Sequence, residues 1–468
     1  MEFVKSNKNK DLLLYSGFLH REDRKQNNTI YWRCVESSCK GRIITINGEI
    51  KSQPKDNSHN HVPDPCKIQR KMAVNKIKEA AVHTQNTPHD IISTVQIVPG
   101  VAGEMPSVHH LKHTIRRVRT RNQCAPPIPK TVSDLKIADE YSKTMKGEQF
   151  LIFDSGASQD RILIFSTENN LKLMDQSANW LVDGTFKTVP SLFYQLFTIH
   201  VLIQQGDQTV SPTIYALLTD KSQSTYTRFL KYLLEIKPSL NPTSVIMDFE
   251  NASINAFKTV FPHAEQQGCF FHFSKCMWRQ IQNVGLVENY INNANFALHI
   301  RMLAALAYVP PDNVINAYEE ILETQFYVEN EDLVMPFLDY FEDNWVGKIT
   351  GRRKTRRQPR HPIHIWNCHY SAKNGLPTTN NAVEGWHRGF TSVIGASHPN
   401  IWKFIDGIKK VQNIEELKRE QYIAGEQPRK KKKYKDCNKR IHALVTNYNT
   451  NENKNFIKGV AYNLSLNA

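Results

Sequence analysis

The sequence contains no run of 18 or more apolar residues, so no segment is long enough to cross a membrane as a helix. Residues 1–10 are polar and lysine-rich, without the apolar stretch of a secretory signal, and no signal peptide is expected. Cysteine is scarce. Eight in 468 residues cannot staple a chain of this size, and they read as reduced thiols or metal ligands in an intracellular protein. There is no internal repeat. Acidic residues fall short of basic ones, 45 against 60, leaving a formal net charge of +15. An excess of that size favours a polyanionic partner, most often nucleic acid. Apolar residues are not lacking. At 40% of the chain they can build a sizeable core, which excludes a disordered or collagen-like polymer, and the length suits about two to four domains.

The cations are clustered. Arg116, Arg117, Arg119 and Arg121 close a helix-compatible segment that starts near Val108. Arg352, Arg353, Lys354, Arg356, Arg357 and Arg360 form a second group. Residues 429–433, Arg-Lys-Lys-Lys-Lys, form a third with Lys435. Each is compatible with a solvated face. The third also has the composition of a nuclear localisation signal or a phosphate-binding tail.

Four stretches follow from the patterning. Residues 1–65 are short, polar and strand-like, with Gly and Asn turns. Residues 66–145 read as a basic helical connector punctuated by proline. Residues 146–400 carry most of the apolar periodicity, and residues 401–468 begin with one more helix and end in a basic, polar tail whose Asn-rich part is expected to be mobile. Within the third stretch, 161–166, 180–186, 194–203 and 209–218 are apolar runs of strand length, with a hairpin signal at Gln204-Gln205-Gly206-Asp207. Residues 225–236 have helical spacing, 244–247 read as a buried strand, 251–260 as a helix and 268–273 as another apolar run. The order describes a mixed α/β sheet with helices on its faces, followed by a helical insertion over about 280–370.

The first constellation of chemistry-bearing residues lies near the N-terminus. Cys34 and Cys39 are followed twenty residues later by His59-Asn60-His61. Two thiolates and two imidazoles suit tetrahedral zinc, and metal binding would supply the folding free energy that so small a region cannot draw from apolar burial. Phe18-Leu19, Tyr31-Trp32-Arg33-Cys34, Cys39-Lys40-Gly41-Arg42 and His59-Asn60-His61 together resemble a FLYWCH-type zinc finger over about residues 3–64. The resemblance implies a small β-rich Cys2His2 domain, with Cys34, Cys39, His59 and His61 on Zn2+, that binds DNA or a protein partner. It further implies that Tyr31 and Trp32 pack around the metal. Lys40 and Arg42 either face phosphates or are solvated.

The second constellation is acidic. Asp183 sits in Trp180-Leu181-Val182-Asp183-Gly184-Thr185-Phe186, and a carboxylate inside an apolar strand is costly unless paired, hydrogen-bonded or metal-bound. Asp248 repeats the pattern at the carboxyl end of a second strand, where open α/β sheets build their sites. Glu384 lies in the first turns of a helix opened by Thr379-Asn380-Asn381, with the two Asn residues on its face. The bland roles are a turn aspartate, a helix cap and a capping-box glutamate. Three such acids point instead to two-metal phosphoryl chemistry on Mg2+ or Mn2+.

Asp183-Gly184-Thr185-Phe186, Asp248, Cys269-Phe270-Phe271-His272 and Asn380-Asn381-Ala382-Val383-Glu384 occur in the order of a Mutator-like element (MULE) transposase, which the region 150–400 resembles. The resemblance implies an RNase H-like core with a helical insertion, a catalytic and metal-binding triad of Asp183, Asp248 and Glu384, and His272 near the catalytic centre. Without it, Cys269 and His272 read equally well as a core thiol and a satisfied imidazole on a strand end. As zinc ligands with Cys276 and His263 they lack a recognised spacing. The combined reading is a nuclear zinc-finger DNA-binding protein that cleaves and transfers DNA strands, with self-association on DNA ends. The alternative is a domesticated transposase that regulates transcription without cutting.

Overall fold

The structure, a computed structural model, describes residues 1–6, 10–52, 58–84, 88–96, 99–122, 126–204, 209–351, 355–426 and 432–466. The chain forms two units, Met1–Pro126 and Pro127–Ala468.

The first unit begins as an antiparallel meander of six strands in sequence order: β1 (Glu2–Lys5), β2 (Asp11–Tyr15), β3 (Phe18–Gln26), β4 (Thr29–Cys34), β5 (Arg42–Ile46) and β6 (Glu49–Ser52). Two of its hairpins turn on Ser16–Gly17 and Asn47–Gly48, where both residues have positive φ, as tight two-residue turns require. Strand alternation sends Leu13, Trp32 and Ile43 to one cluster and Val4, Leu12 and Leu19 to another. Helix α1 (Pro65–His83) is capped by Asp64, whose carboxylate accepts from Lys67 N–H at 2.9 Å. Its first half packs Ile68 and Met72 against the sheet residues Val4, Leu12 and Leu19. Its second half packs Ile77 and Ala81 against α2 (Pro88–Thr94) and α3 (Val108–Asn122), through Ile91, Leu111 and Ile115.

The second unit opens with α4 (Asp139–Ser142), β7 (Leu151–Asp154), β8 (Leu163–Phe165) and α5 (Glu168–Gln176). Then come β9 (Asn179–Thr185), β10 (Gln195–Gln204), β11 (Thr209–Leu218), α6 (Gln223–Ile236), β12 (Ser244–Met247), α7 (Asn251–Val260) and β13 (Glu265–Gly268). The sheet order is β13-β12-β9-β10-β11-β8-β7. The hairpins from β9 to β11 are antiparallel, whereas β12 pairs in parallel with both β9 and β13. One face buries Trp180, Val182 and Ile199 under Phe229 and Leu233 of α6 and Phe257 of α7. The other buries Phe165, Leu196 and Tyr215 under α16 (Asn381–Ile394) and α17 (Ile401–Ile423). The expected mixed sheet with helices on its faces is therefore present. The turn expected at Gln204-Gln205-Gly206-Asp207 falls on 205–208, outside the described residues, between two strands that do pair.

Helices α8 (Phe270–Asn283), α9 (Val287–Asn292), α10 (Ala294–Ala305), α11 (Val314–Leu322), α12 (Gln325–Glu329), α13 (Glu331–Phe341), α14 (Ile363–Trp366) and α15 (His369–Lys373) build the largest apolar cluster. The run 268–273 is thus not a strand: β13 ends at Gly268 and a helix starts at Phe270. The C-terminal tail differs more. The stretch expected to be a polar tail, mobile over 447–455, forms α18 (Lys432–Thr446) and α19 (Asn453–Ala461), which bury Ile441, Val445, Phe456, Ile457 and Val460 in the same cluster. Asn453 is buried and accepts from Asn313 Nδ2 at 2.9 Å and Tyr448 OH at 2.6 Å. Sparse apolar residues at helical spacing, hidden among Asn and Lys, decide the outcome.

Ile457→Ala should destabilise the second unit by about 2–5 kcal/mol in urea unfolding, the cost of a cavity in a filled core. A mobile tail would leave the midpoint unchanged. His361 supplies a pH test. Its buried ring stacks on Trp345 at 4.9 Å, and burial, then the Arg360 charge, depress its pKa to about 4 against a weaker opposing effect of Asp248. The folded state keeps the ring neutral, so its contribution is present above pH about 6.5 and is lost as pH falls towards 4. Over that window the stability of His361→Gln should fall less steeply than wild type, by up to about 1.4 kcal/mol per pH unit.

Candidate metal centre and candidate active site

In the first unit, Cys34 ends β4, Cys39 lies in the loop that follows, and His59 and His61 come from the segment before α1. The sulfur and nitrogen donor atoms of the four lie within 4.8 Å of one another. Cys34 Sγ stands 3.2 Å from His61 Nε2, and Cys39 Sγ 3.2 Å from His59 Nδ1. Ligands 2.3 Å (S) and 2.0–2.1 Å (N) from one tetrahedral zinc would stand about 3.5 Å apart, so the set fits with little adjustment. Burial pushes the Cys34 thiol above its ordinary pKa, and a thiolate there needs a cation beside it. A Cβ on Gly41 would come within 2.4 Å of the His59 ring, so only glycine lets the imidazole in. The ring against the ligands is Phe18, stacked on His59 at 3.8 Å. Tyr31 and Trp32 do not fill that place. Tyr31 lies under the Arg24 guanidinium, and Trp32 donates to Thr45 Oγ1 within its own cluster. Arg42 pairs with Asp23 at 2.8 Å.

In the second unit the acids come together through strand register. Val245 pairs with Trp180 and Ile246 with Leu181; two residues further along the same face stand Asp248 and Asp183. Leu181 and Ile246 form a small apolar cluster with Cys269 and with Val383, the neighbour of Glu384. The backbone there is laced together. Cys269 N–H donates to Met247 O at 2.8 Å, Phe270 N–H to Thr378 O at 2.9 Å, and Asn380 Nδ2 to Val182 O at 3.0 Å. The buried Cys269 sulfur accepts from Asn380 N–H at 3.0 Å, and burial pushes that thiol up to about 12. Cys269 is a structural thiol. Asn380, expected to lie beside the Glu384 carboxylate, spends its amide on tying α16 to β9.

His272, in the first turn of α8, stands between two of the acids. Its Nδ1 is 3.7 Å from Asp248 Oδ1 and its Nε2 3.5 Å from Glu384 Oε1. His387, absent from the sequence-based site, places Nε2 3.3 Å from Asp183 Oδ2. The available signal was its spacing, three residues after Glu384 and so on one helix face. Asp183, Asp248 and Glu250 line a cavity of about 60 Å³ with Tyr226, whose hydroxyl donates to Glu250 Oε2 at 3.0 Å. Asp248 is 53% exposed and caps nothing: α7 starts three residues later, and the Asp248 carboxylate takes only the Phe249 N–H. Among the described residues, only the Cys2His2 set brings three or more metal-ligand donors within 4.8 Å of one another; the three carboxylates stand farther apart, with imidazoles against them.

Residues 3–61 match the family model of the FLYWCH zinc finger domain, and residues 179–276 that of the MULE transposase domain. The chain carries the two in the order read from its motifs. Asp183, Asp248, Cys269 and His272 lie inside the second match and Glu384 beyond it. No curated protein matches the chain. Together the matches support a transposase-like DNA-binding protein with a zinc-binding finger.

Removing zinc should unfold the six-stranded sheet and leave the second unit folded. Chelation of the purified chain should collapse the near-ultraviolet circular dichroism of the buried Trp32, and added zinc should restore it. Cys34→Ser should show the collapsed signal without chelator.

Proposed function

We propose that the second unit cleaves and joins DNA strands by metal-dependent phosphoryl transfer, with Asp183, Asp248 and Glu384 as the acidic centre and His272 as its positioning residue. The observation that carries the reading is the register of β9 and β12, which brings two carboxylates to the same face and end of neighbouring parallel strands, opposite Glu384 on α16. Three antiparallel strands followed by two parallel ones, with acids at the ends of the first and fourth, support an RNase H-like core. Three carboxylates suit hard divalent ions such as Mg2+ or Mn2+. Held there, such ions would lower the pKa of the attacking water and stabilise the leaving 3′-oxygen.

The remaining work falls to the chain itself. His272 stands between Asp248 and Glu384, and His387 stands beside Asp183. Exposed Asp248 faces the solvent from which a phosphodiester arrives. The zinc finger binds DNA and brings it to the core, and the net charge of +15 raises the local concentration of any polyanion. The same basic runs support a nuclear location. The alternative is binding without cleavage, in which the imidazoles that stand 3.3–3.7 Å from the three carboxylates keep divalent ions out.

A strand-cleavage and joining assay separates the readings. Purified protein, labelled duplex with candidate terminal repeats, and Mg2+ or Mn2+ should give nicked and joined products. Asp248→Asn should reduce them by at least about a hundredfold. Tight binding with no product from either protein, beside a transposase active in the same buffers, would leave the regulator reading.

A further inference from the structure

Helix α3 is amphipathic in an unusual way. Leu111 and Ile115 are buried against α1 and α2. The exposed side carries His109, His113, Arg116, Arg117, Thr120 and Arg121 at the spacing of a continuous helical stripe, and α3 contains no acidic residue. Arg119, from the same basic cluster, is turned inward. Its guanidinium donates to Ala81 O at 3.1 Å and Thr84 O at 2.8 Å, closing the C-terminal end of α1. Arg116, Arg117 and Arg121 enter no ion pair among the described residues. Complementing a helix dipole takes one or two cations in the last turn, not a stripe along the helix. The surrounding segment is also cationic: residues 65–122 hold ten Lys and Arg against three Asp and Glu. On α1, burial and then the charges of Lys67, Lys78 and Arg70 lower the pKa of Lys71, the mark of a surface short of anions.

We infer that α3 is a second DNA-binding element, separate from the zinc finger, which lays its exposed basic face in the major groove of duplex DNA. At 15 residues the helix is about 22 Å long, and the B-form major groove, about 12 Å wide, admits a helix of ordinary diameter. The deep, narrow major groove of duplex RNA does not, which selects DNA. Arg116, Arg117 and Arg121 contact phosphates or guanine edges, while Leu111 and Ile115 fix the helix to α1 and α2 so that it arrives preformed. The inference rests on the reading that the chain binds DNA, and it assigns part of that binding to a surface outside the finger.

The test uses the full zinc-loaded chain and fluorescence anisotropy with a 30-base-pair mixed-sequence DNA duplex, titrated over a range of salt. Arg116→Ala/Arg117→Ala/Arg121→Ala should bind at least about tenfold more weakly near 0.15 M salt. Its plot of log affinity against log salt should be shallower by about 2–3, at roughly 0.9 per lost phosphate contact. Zinc content and melting temperature should match wild type, since the three side chains are exposed. Lys231→Ala/Lys258→Ala/Lys454→Ala removes the same charge from exposed helix positions elsewhere and should leave the slope unchanged. If wild type binds the duplex and the α3 variant matches it in affinity and slope, or the control variant shifts as much, the assignment to α3 fails while the DNA-binding reading stands. If wild type does not bind the duplex, or prefers the RNA duplex of the same sequence, both fail.

Discussion

Four apolar side chains hold the candidate active site together. Leu181, Ile246, Cys269 and Val383 come from β9, β12, the start of α8 and α16, and they meet in one small cluster. Because side chains alternate along a strand, fixing Leu181 and Ile246 inward fixes Asp183 and Asp248 on the same face two residues later. Because Val383 is held, Glu384 beside it is aimed at them. This works only while β12 runs parallel to β9, and parallel neighbours need a crossover connection. The chain provides one through the β10–β11 hairpin and α6, so about sixty residues of packing stand behind the placement of two oxygens.

The sequence was legible where chemistry and periodicity coincide. The strands at 209–218 and 244–247, buried on both faces, and the helix at 251–260, with one face in the core, occupy the residues their apolar pattern predicts. The four zinc donors were legible for a different reason: thiols and imidazoles in that order have few other uses. What could not be read were the long-range attachments. The bonds from Asn380 to Val182 and to the Cys269 sulfur span 198 and 111 residues, and no local pattern announces them. The C-terminal helices were obscured by composition, since Phe456, Ile457 and Val460 are few among polar neighbours yet fall on one face. Phe18, not Tyr31 or Trp32, meets the zinc ligands because strand pairing decides which aromatic ring faces the metal loop.

Clusters of like charge look equivalent in a sequence, and the structure divides them by solvation. Arg356 is mostly buried between Glu319 and Glu342 and over the Tyr318 ring, and Arg357 pairs with Asp343, so both serve the helical insertion. Residues 352–354 and 429–431 of the basic runs lie outside the described residues. Arg119 closes a helix end. A guanidinium already bonded to carbonyls or carboxylates has little left to offer a phosphate. Arg116, Arg117 and Arg121 of α3 are exposed and keep their charged groups available, as do Arg360, Lys432, Lys433 and Lys435.

The two candidate metal centres differ in spacing, and charge explains the difference. Burial favours the neutral thiol at Cys34, and uncharged ligands can pack against one another before any ion arrives, so the zinc ligands stand preassembled within 4.8 Å. Three carboxylates cannot, because each close pair repels at a cost that grows as water is excluded. Something must stand between them, and here it is the rings of His272 and His387, 3.3–3.7 Å from the carboxylate oxygens. Wide carboxylate spacing is thus what an acidic centre shows on electrostatic grounds when no cation is present, whether or not it later closes on one. It does not by itself favour a protein that only binds. The discriminating property is whether the imidazoles yield to a divalent ion, which depends on how firmly α8 and α16 hold them. The lacing of α16 to β9 through Asn380 fixes the Glu384 backbone, and the His387 ring, one turn further along, lies against Trp386 and the Asp183 carboxylate.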